Sequence, residues 1–268
     1  MQTYQMPLFY KPGTYRIPTL QIGDEVFIKN VEVSVFSERP FPRHQIIVSF
    51  MGSAGKEPDA SGKINEPTQK DKELGHLVGR VVAANGAILS NGAVYGKPYF
   101  PIRGAQLSRA YTLGISPFPN RVAHEKTNPI KHFDLIVYVG KDFRLYYPRA
   151  NFTFRDWFNT LPSDVVISSG GVIGTPDEVM HVLEQGGVYI AIRGSGGATD
   201  LIVEGIEKEV LKKDTGGRII IADYTPQSLE WAINEGVAEA KTRWMKEGRT
   251  ANRFSYIVDE LEKVMGIK

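Results

Sequence analysis

From Gln45 to Ala222 the chain repeats one pattern: a short, continuously apolar run, a glycine-containing loop, then a segment with helical spacing of apolar residues. The apolar runs are Ile46-Ile47-Val48-Ser49-Phe50, Ala87-Ile88-Leu89-Ser90, Asp134 to Val139, Asp164-Val165-Val166-Ile167, Val188 to Ile192 and Arg218 to Ala222. Strands that do not alternate apolar with polar residues are buried on both faces, as in a parallel sheet flanked by helices. The expected fold is α/β: a doubly wound, Rossmann-like, mostly parallel sheet that takes ligands at the carboxyl ends of its strands.

The helical segments support this. Leu74, Leu77, Val78, Val81 and Val82 share one helical face, and Asn85-Gly86 stops that helix. Further helices are expected over Gly104–Ala110, Thr153–Leu161 and Pro176–Gln185, and from Asp200 to Lys213. Two helical stripes close the chain: Leu229, Ala232, Ile233, Val237 and Ala240, then Phe254, Ile257, Val258, Leu261, Val264 and Met265. Before Gln45 the pattern differs, with half-buried alternation in Val31-Glu32-Val33-Ser34-Val35 and a hairpin turn expected at Lys29-Asn30. The division is residues 1–44, an N-terminal β extension, and residues 45–268, a Rossmann-like nucleotide-binding domain with C-terminal helices.

Composition removes several chemistries. With no Cys there is no disulfide, thiolate zinc site or cysteine nucleophile. His44, His76, His124, His132 and His181 include no i, i+4 pair, so no metal site is expected. A net charge of +2 lacks the footprint of a dedicated nucleic-acid binder. No apolar run approaches the ~20 residues of a membrane span and no signal segment begins the chain, so the expected location is cytoplasmic. Neither G-x-x-x-x-G-K-[ST], G-x-G-x-x-G nor G-x-S-x-G occurs, and no bound cofactor is expected.

The glycines that follow the apolar runs are the candidate ligand contacts: Gly52 with Ser53, Gly92, Gly170, Gly171 and Gly174 with Thr175, and Gly196 with Gly197. In Ser168-Ser169-Gly170-Gly171-Val172-Ile173-Gly174-Thr175-Pro176-Asp177-Glu178 a buried strand feeds a glycine loop that opens a helix, where free N–H groups suit a phosphate. Thr175, Pro176 and Glu178 also match a capping box, and the two readings stand side by side.

Gly-Gly-x-x-Gly-Thr-x-x-Glu after a buried strand resembles the motif of the Lonely Guy family, once misnamed lysine decarboxylases. Arg155, nine residues before Asp164, matches an arginine of that family. Ile47 to Ser53 resembles its first strand and Gly-Ser loop, and Gly196-Gly197-Ala198-Thr199-Asp200 is similar to a turn in the molybdenum-cofactor-carrier-like branch. Gly170 replaces the motif's Pro, Val172 its third Gly, and Ala93-Val94-Tyr95-Gly96 lacks the usual Gly-x-Met turn.

The resemblance implies a small-molecule nucleotide or phosphorylated ligand and a homodimer or higher homo-oligomer. It also implies hydrolysis of the N-glycosidic bond of a nucleoside 5′-monophosphate, with Glu178 and Arg155 catalytic, and Arg149 as the alternative arginine. The competing expectation is a non-catalytic carrier of a nucleotide or molybdopterin-type cofactor. Nucleic acid is expected only through the wider similarity to DNA-processing protein A.

Overall fold

A computed structural model describes residues 9–22, 26–55, 66–139, 154–171, 174–210 and 216–267. In chain order its elements are β1 (Gly13–Ile22), β2 (Val26–Val35), β3 (Ile47–Gly52), α1 (Gln69–Ala84), β4 (Ile88–Asn91), α2 (Tyr99–Leu107), β5 (Thr112–Ser116), α3 (Arg121–Glu125), β6 (Leu135–Tyr138), α4 (Phe154–Thr160), β7 (Val165–Ser169), α5 (Gly174–Glu184), β8 (Val188–Arg193), α6 (Gly197–Glu207), β9 (Arg218–Asp223), α7 (Pro226–Glu247) and α8 (Ser255–Val264). No described helix is long and apolar enough to cross a membrane.

The apolar runs become strands of one sheet ordered β1-β2-β6-β5-β4-β3-β7-β8-β9, all inner except the Arg218 to Ala222 run, which forms the edge strand β9. From β6 through β9 every neighbouring pair is parallel, which confirms the α/β expectation. Leu74 and Val78 of α1, Ile102 of α2, and Leu229, Ile233 and Val237 of α7 share one core with Val48, Leu89, Ile167 and Ile190. A second core joins α5 and α6 to the sheet through Val179, Val182, Ile202, Val203, Met51, Val166 and Tyr189. The chain winds from β3 through β4 and β5 to β6, then crosses back to place β7 on the other side of β3. That reversal is the topological switch point, and the loops leaving β3 and β7 flank its crevice.

The N-terminal hairpin is present, but Lys29-Asn30 is not its turn. β2 runs unbroken through both residues, and β1 lies antiparallel to it with Ile17 opposite Val31 and Thr19 opposite Lys29. This register sets Pro18 across from Asn30. Proline has no N–H to give the ladder, and Asn30 takes a left-handed φ of 56° inside the strand. The hairpin extends the main sheet, because β2 pairs antiparallel with β6.

Helix α2 starts five residues before the expected Gly104. Pro101 falls in its first turn, where a missing N–H costs nothing, and Gly104 lies mid-helix against α1. A Cβ on Gly104 would fall 2.4 Å from the carbonyl oxygen of His76, so its glycine serves helix contact rather than initiation. Helices α5 and α6 begin at Gly174 and Gly197, so Thr175 lies in a first turn rather than ahead of it.

Asp164, read from sequence as the residue leading β7, ties three segments together. Its Oδ2 accepts the Ile47 N–H at 3.0 Å, and its Oδ1 accepts Trp244 Nε1–H at 2.8 Å and Arg249 Nη1–H at 2.9 Å.

Candidate functional site

Strand β3 ends at Gly52, and its register against β7 places Gly52 beside Ser169, immediately before Gly170. The loops that follow are bonded to one another. The Gly171 N–H donates to Ser53 Oγ and the Gly170 N–H to Ser195 Oγ, each at 2.9 Å. The start of α6 turns back onto the same loop: the Ala198 and Thr199 N–H groups donate to the carbonyls of Gly171 and Gly170 at 3.0 and 2.9 Å. Gly52, Ser53, Gly170, Gly171, Gly196 and Gly197 thus converge at the switch point from three strand ends. Gly171 must be glycine, since its φ is +84° and a Cβ would meet Thr175 Oγ1 at 2.0 Å.

Several backbone donors are already used within this cluster. Asp200 accepts the N–H groups of Gly194 and Gly196 at 2.8 and 2.9 Å, so that turn is closed by its own carboxylate. Gly92 is buried at the end of β4, two strands from β7, beside the Asn91 side chain, which binds Ala93 N–H and Pro98 O. Gly92 therefore opens the β4–α2 loop beside β3, one strand further from β7 than the Gly52 loop.

On the α5 side, Glu178 is 5% exposed and accepts Asn159 Nδ2–H at 2.9 Å. The same Asn159 amide lies 3.1 Å from Met51 Sδ in β3, so α4 pins Glu178 over the strand end. Thr175 is also buried. Asp156, another buried acid, lies against the start of α5: a Cβ on Gly174 would be 3.3 Å from its Oδ2. A carboxylate there is favourable to the helix dipole. Burial first, then Asp156, pushes the Asp177 carboxyl above its usual range, while burial holds the His181 imidazole below its own. Arg155 is the second residue of α4, with its side chain outside the described part; Arg149 and Val172 lie outside the described residues.

The opposite wall carries a cation that the motifs did not reveal. The β4–α2 loop is bonded to the loop after β3, with the Lys97 N–H donating to Ser53 O at 3.1 Å and the Gly55 N–H to Tyr95 O at 2.8 Å. Lys97 Nζ then bridges Asp71 Oδ1 and the Ser195 carbonyl, each at 2.9 Å. Asp71 also accepts from the Tyr224 hydroxyl, and from Thr68 N–H and Oγ1–H at 2.8 and 2.7 Å. Burial alone would raise the Asp71 carboxyl, but the bonds from Tyr224, Thr68 and Lys97 outweigh it and hold the pKa near 2. Burial and the bond to Asp71 push the Tyr224 hydroxyl upward. None of these residues stood out in sequence; the one signal that could have pointed to them is the Thr68-x-x-Asp71 spacing, a capping box ahead of an apolar helix. Among the described residues no acid and histidine group is placed to hold a metal ion.

This network makes stability acid-sensitive. A carboxyl depressed from 3.8 to about 2 stabilises the fold above its unfolded value and loses that contribution as pH falls toward 2. Asp71→Asn is expected to remove roughly 2 kcal/mol of the pH-dependent part between about pH 5 and 2. Urea unfolding across that range reads it as a flatter pH profile than wild type; a parallel profile contradicts it.

The sequence model of the SLOG cluster4 family matches residues 45–229, the span that contains every loop of this crevice. Among solved structures, TM1055, a structural genomics target, is 24% identical with a TM-score of 0.55, covering 71% of this chain and 99% of that one. A molybdenum cofactor binding protein from Rippkaea orientalis is 22% identical at 0.51, covering 71% and 96%. The molybdenum cofactor carrier protein of Chlamydomonas reinhardtii is 20% identical at 0.52, covering 72% and 99%. These likenesses establish the shared fold. No curated protein matches the sequence significantly.

Proposed function

The chain belongs to the SLOG cluster4 family, and on that footing we propose that it binds a nucleotide or phosphorylated cofactor in the crevice between β3 and β7. One observation carries the reading: the strand order reverses there, and glycine and serine loops from β3, β7 and β8 meet at the reversal. Hydroxyl and ammonium donors gather at the carboxyl edge, where open α/β sheets take ligands. The molybdenum cofactor proteins of similar fold favour a ligand held intact.

A second reading, hydrolysis of the N-glycosidic bond of a nucleoside 5′-monophosphate, is favoured by Glu178. A buried carboxylate held in one orientation by Asn159 is suited to stabilising positive charge that develops on a ribose as the base leaves. Arg155, nine residues before Asp164, would supply the substrate contact, as the Lonely Guy resemblance implies. Incubation of the protein with AMP, with bound and free species separated and ribose 5-phosphate quantified, decides between them. Steady release of ribose 5-phosphate supports turnover. AMP bound and recovered intact supports a carrier or sensor, and failure to bind any nucleoside monophosphate or pterin phosphate contradicts the proposal.

A further inference from the structure

We propose that Lys97 forms the anion subsite of the crevice, and that with Ser53 and Ser195 it grips one tetrahedral oxyanion of the phosphate-monoester class. The inference rests on the crevice being a ligand site and adds which wall takes the charged end of the ligand.

The geometry centres on Gly170. A Cβ built there would lie 2.9 Å from Ser53 Oγ, 3.4 Å from Lys97 Nζ and 3.5 Å from the Ser195 carbonyl. A side chain at 170 would collide with Ser53 Oγ, so glycine is what lets polar groups from three loops close on this point. An ammonium carries three donors, and Lys97 commits two of them, to Asp71 and to the Ser195 carbonyl. Ser53 Oγ and Ser195 Oγ each accept a glycine N–H, which leaves each hydroxyl proton to donate. The third ammonium proton and two hydroxyl protons make a donor set matched to phosphate oxygens.

Asp71 fixes this cation. Its carboxylate is bonded by Tyr224 and Thr68 as well as Lys97, so the ammonium is held in place before a ligand arrives. Lys97 is only 16% exposed, and a partly buried charge is weakly screened by salt. This held ammonium places the phosphate on the α1 side and leaves the rest of the ligand to extend toward Glu178.

Isothermal titration calorimetry with inorganic phosphate, AMP and adenosine tests this on wild type, Lys97→Met, Lys97→Arg and the double variant Asp71→Asn with Lys97→Met. The double variant removes both members of the pair, so no carboxylate is stranded if the single variant misfolds; circular dichroism checks the fold. Loss of a charge-assisted contact predicts phosphate and AMP affinities weaker by about tenfold to a hundredfold in both Met variants. Lys97→Arg should restore most of the loss, and any adenosine affinity should stay unchanged. Wild type that binds no inorganic phosphate, or a folded double variant that binds phosphate and AMP as tightly as wild type, overturns the subsite. Phosphate binding that depends on Lys97 without AMP binding keeps the subsite and removes the nucleotide reading. AMP binding indifferent to Lys97 does the reverse.

Discussion

Replacing Asp164 by Ala is expected to lower the free energy of unfolding by about 3–5 kcal/mol, the cost of breaking a buried pair by removing one partner. Asp164 is 5% exposed and receives a backbone N–H from the start of β3, the Trp244 indole N–H and the Arg249 guanidinium. Without the carboxylate these donors lose their acceptor, and Arg249, 19% exposed, keeps a poorly solvated charge. The loss would be felt at the amino ends of β3 and β7, the two strands whose other ends frame the crevice. Asp164→Asn retains a carbonyl acceptor without the charge and should fall between wild type and Ala. Urea unfolding followed by tryptophan fluorescence reads the effect. A change within about 0.5 kcal/mol, the range of an ordinary surface substitution, contradicts the role.

Glu178→Gln is the second large effect. On the glycosidase reading it should reduce ribose 5-phosphate release from AMP by at least about a hundredfold, the lower range for a positioned acid or base. Affinity for AMP should stay within about threefold, since Gln keeps the shape and one acceptor for the Asn159 amide. An equal loss in kcat and kcat/KM marks an interaction made only in the transition state. If wild type releases product and Glu178→Gln releases it at the same rate, Glu178 is not the catalytic carboxylate.

The sheet was legible because its central strands are buried on both faces. Val165-Val166-Ile167 and Val188 to Ile192 contain no polar position that could face water, and this pattern has few architectural solutions. The glycine loops were legible for the same reason, since the strands end where the glycines begin. Helix starts were less so: Pro101 reads as a breaker until it is seen in a first turn, and Lys29-Asn30 reads as a turn until Pro18 is set opposite Asn30.

Half of the crevice could not be read from local sequence. Asp71, Lys97, Ser195 and Tyr224 lie on four separate loops or helix ends, with no shared spacing to join them, and meet only through the strand order. The Gly170-Gly171 motif was visible, whereas the use of its N–H groups by Ser195 and Ser53 depends on contacts 25 and 118 residues apart.

The proposed ligand lies at the β3/β7 switch point. The most direct test is an amide chemical-shift titration of the isotopically labelled protein with AMP. The predicted result is saturable shifts concentrated at Gly52, Ser53, Gly170, Gly171, Ser195 and Gly196, with the amides of β1 and α8 unmoved. Shifts concentrated on the β1–β2 hairpin or on α7 and α8, with the Gly170-Gly171 amides unmoved, would contradict it.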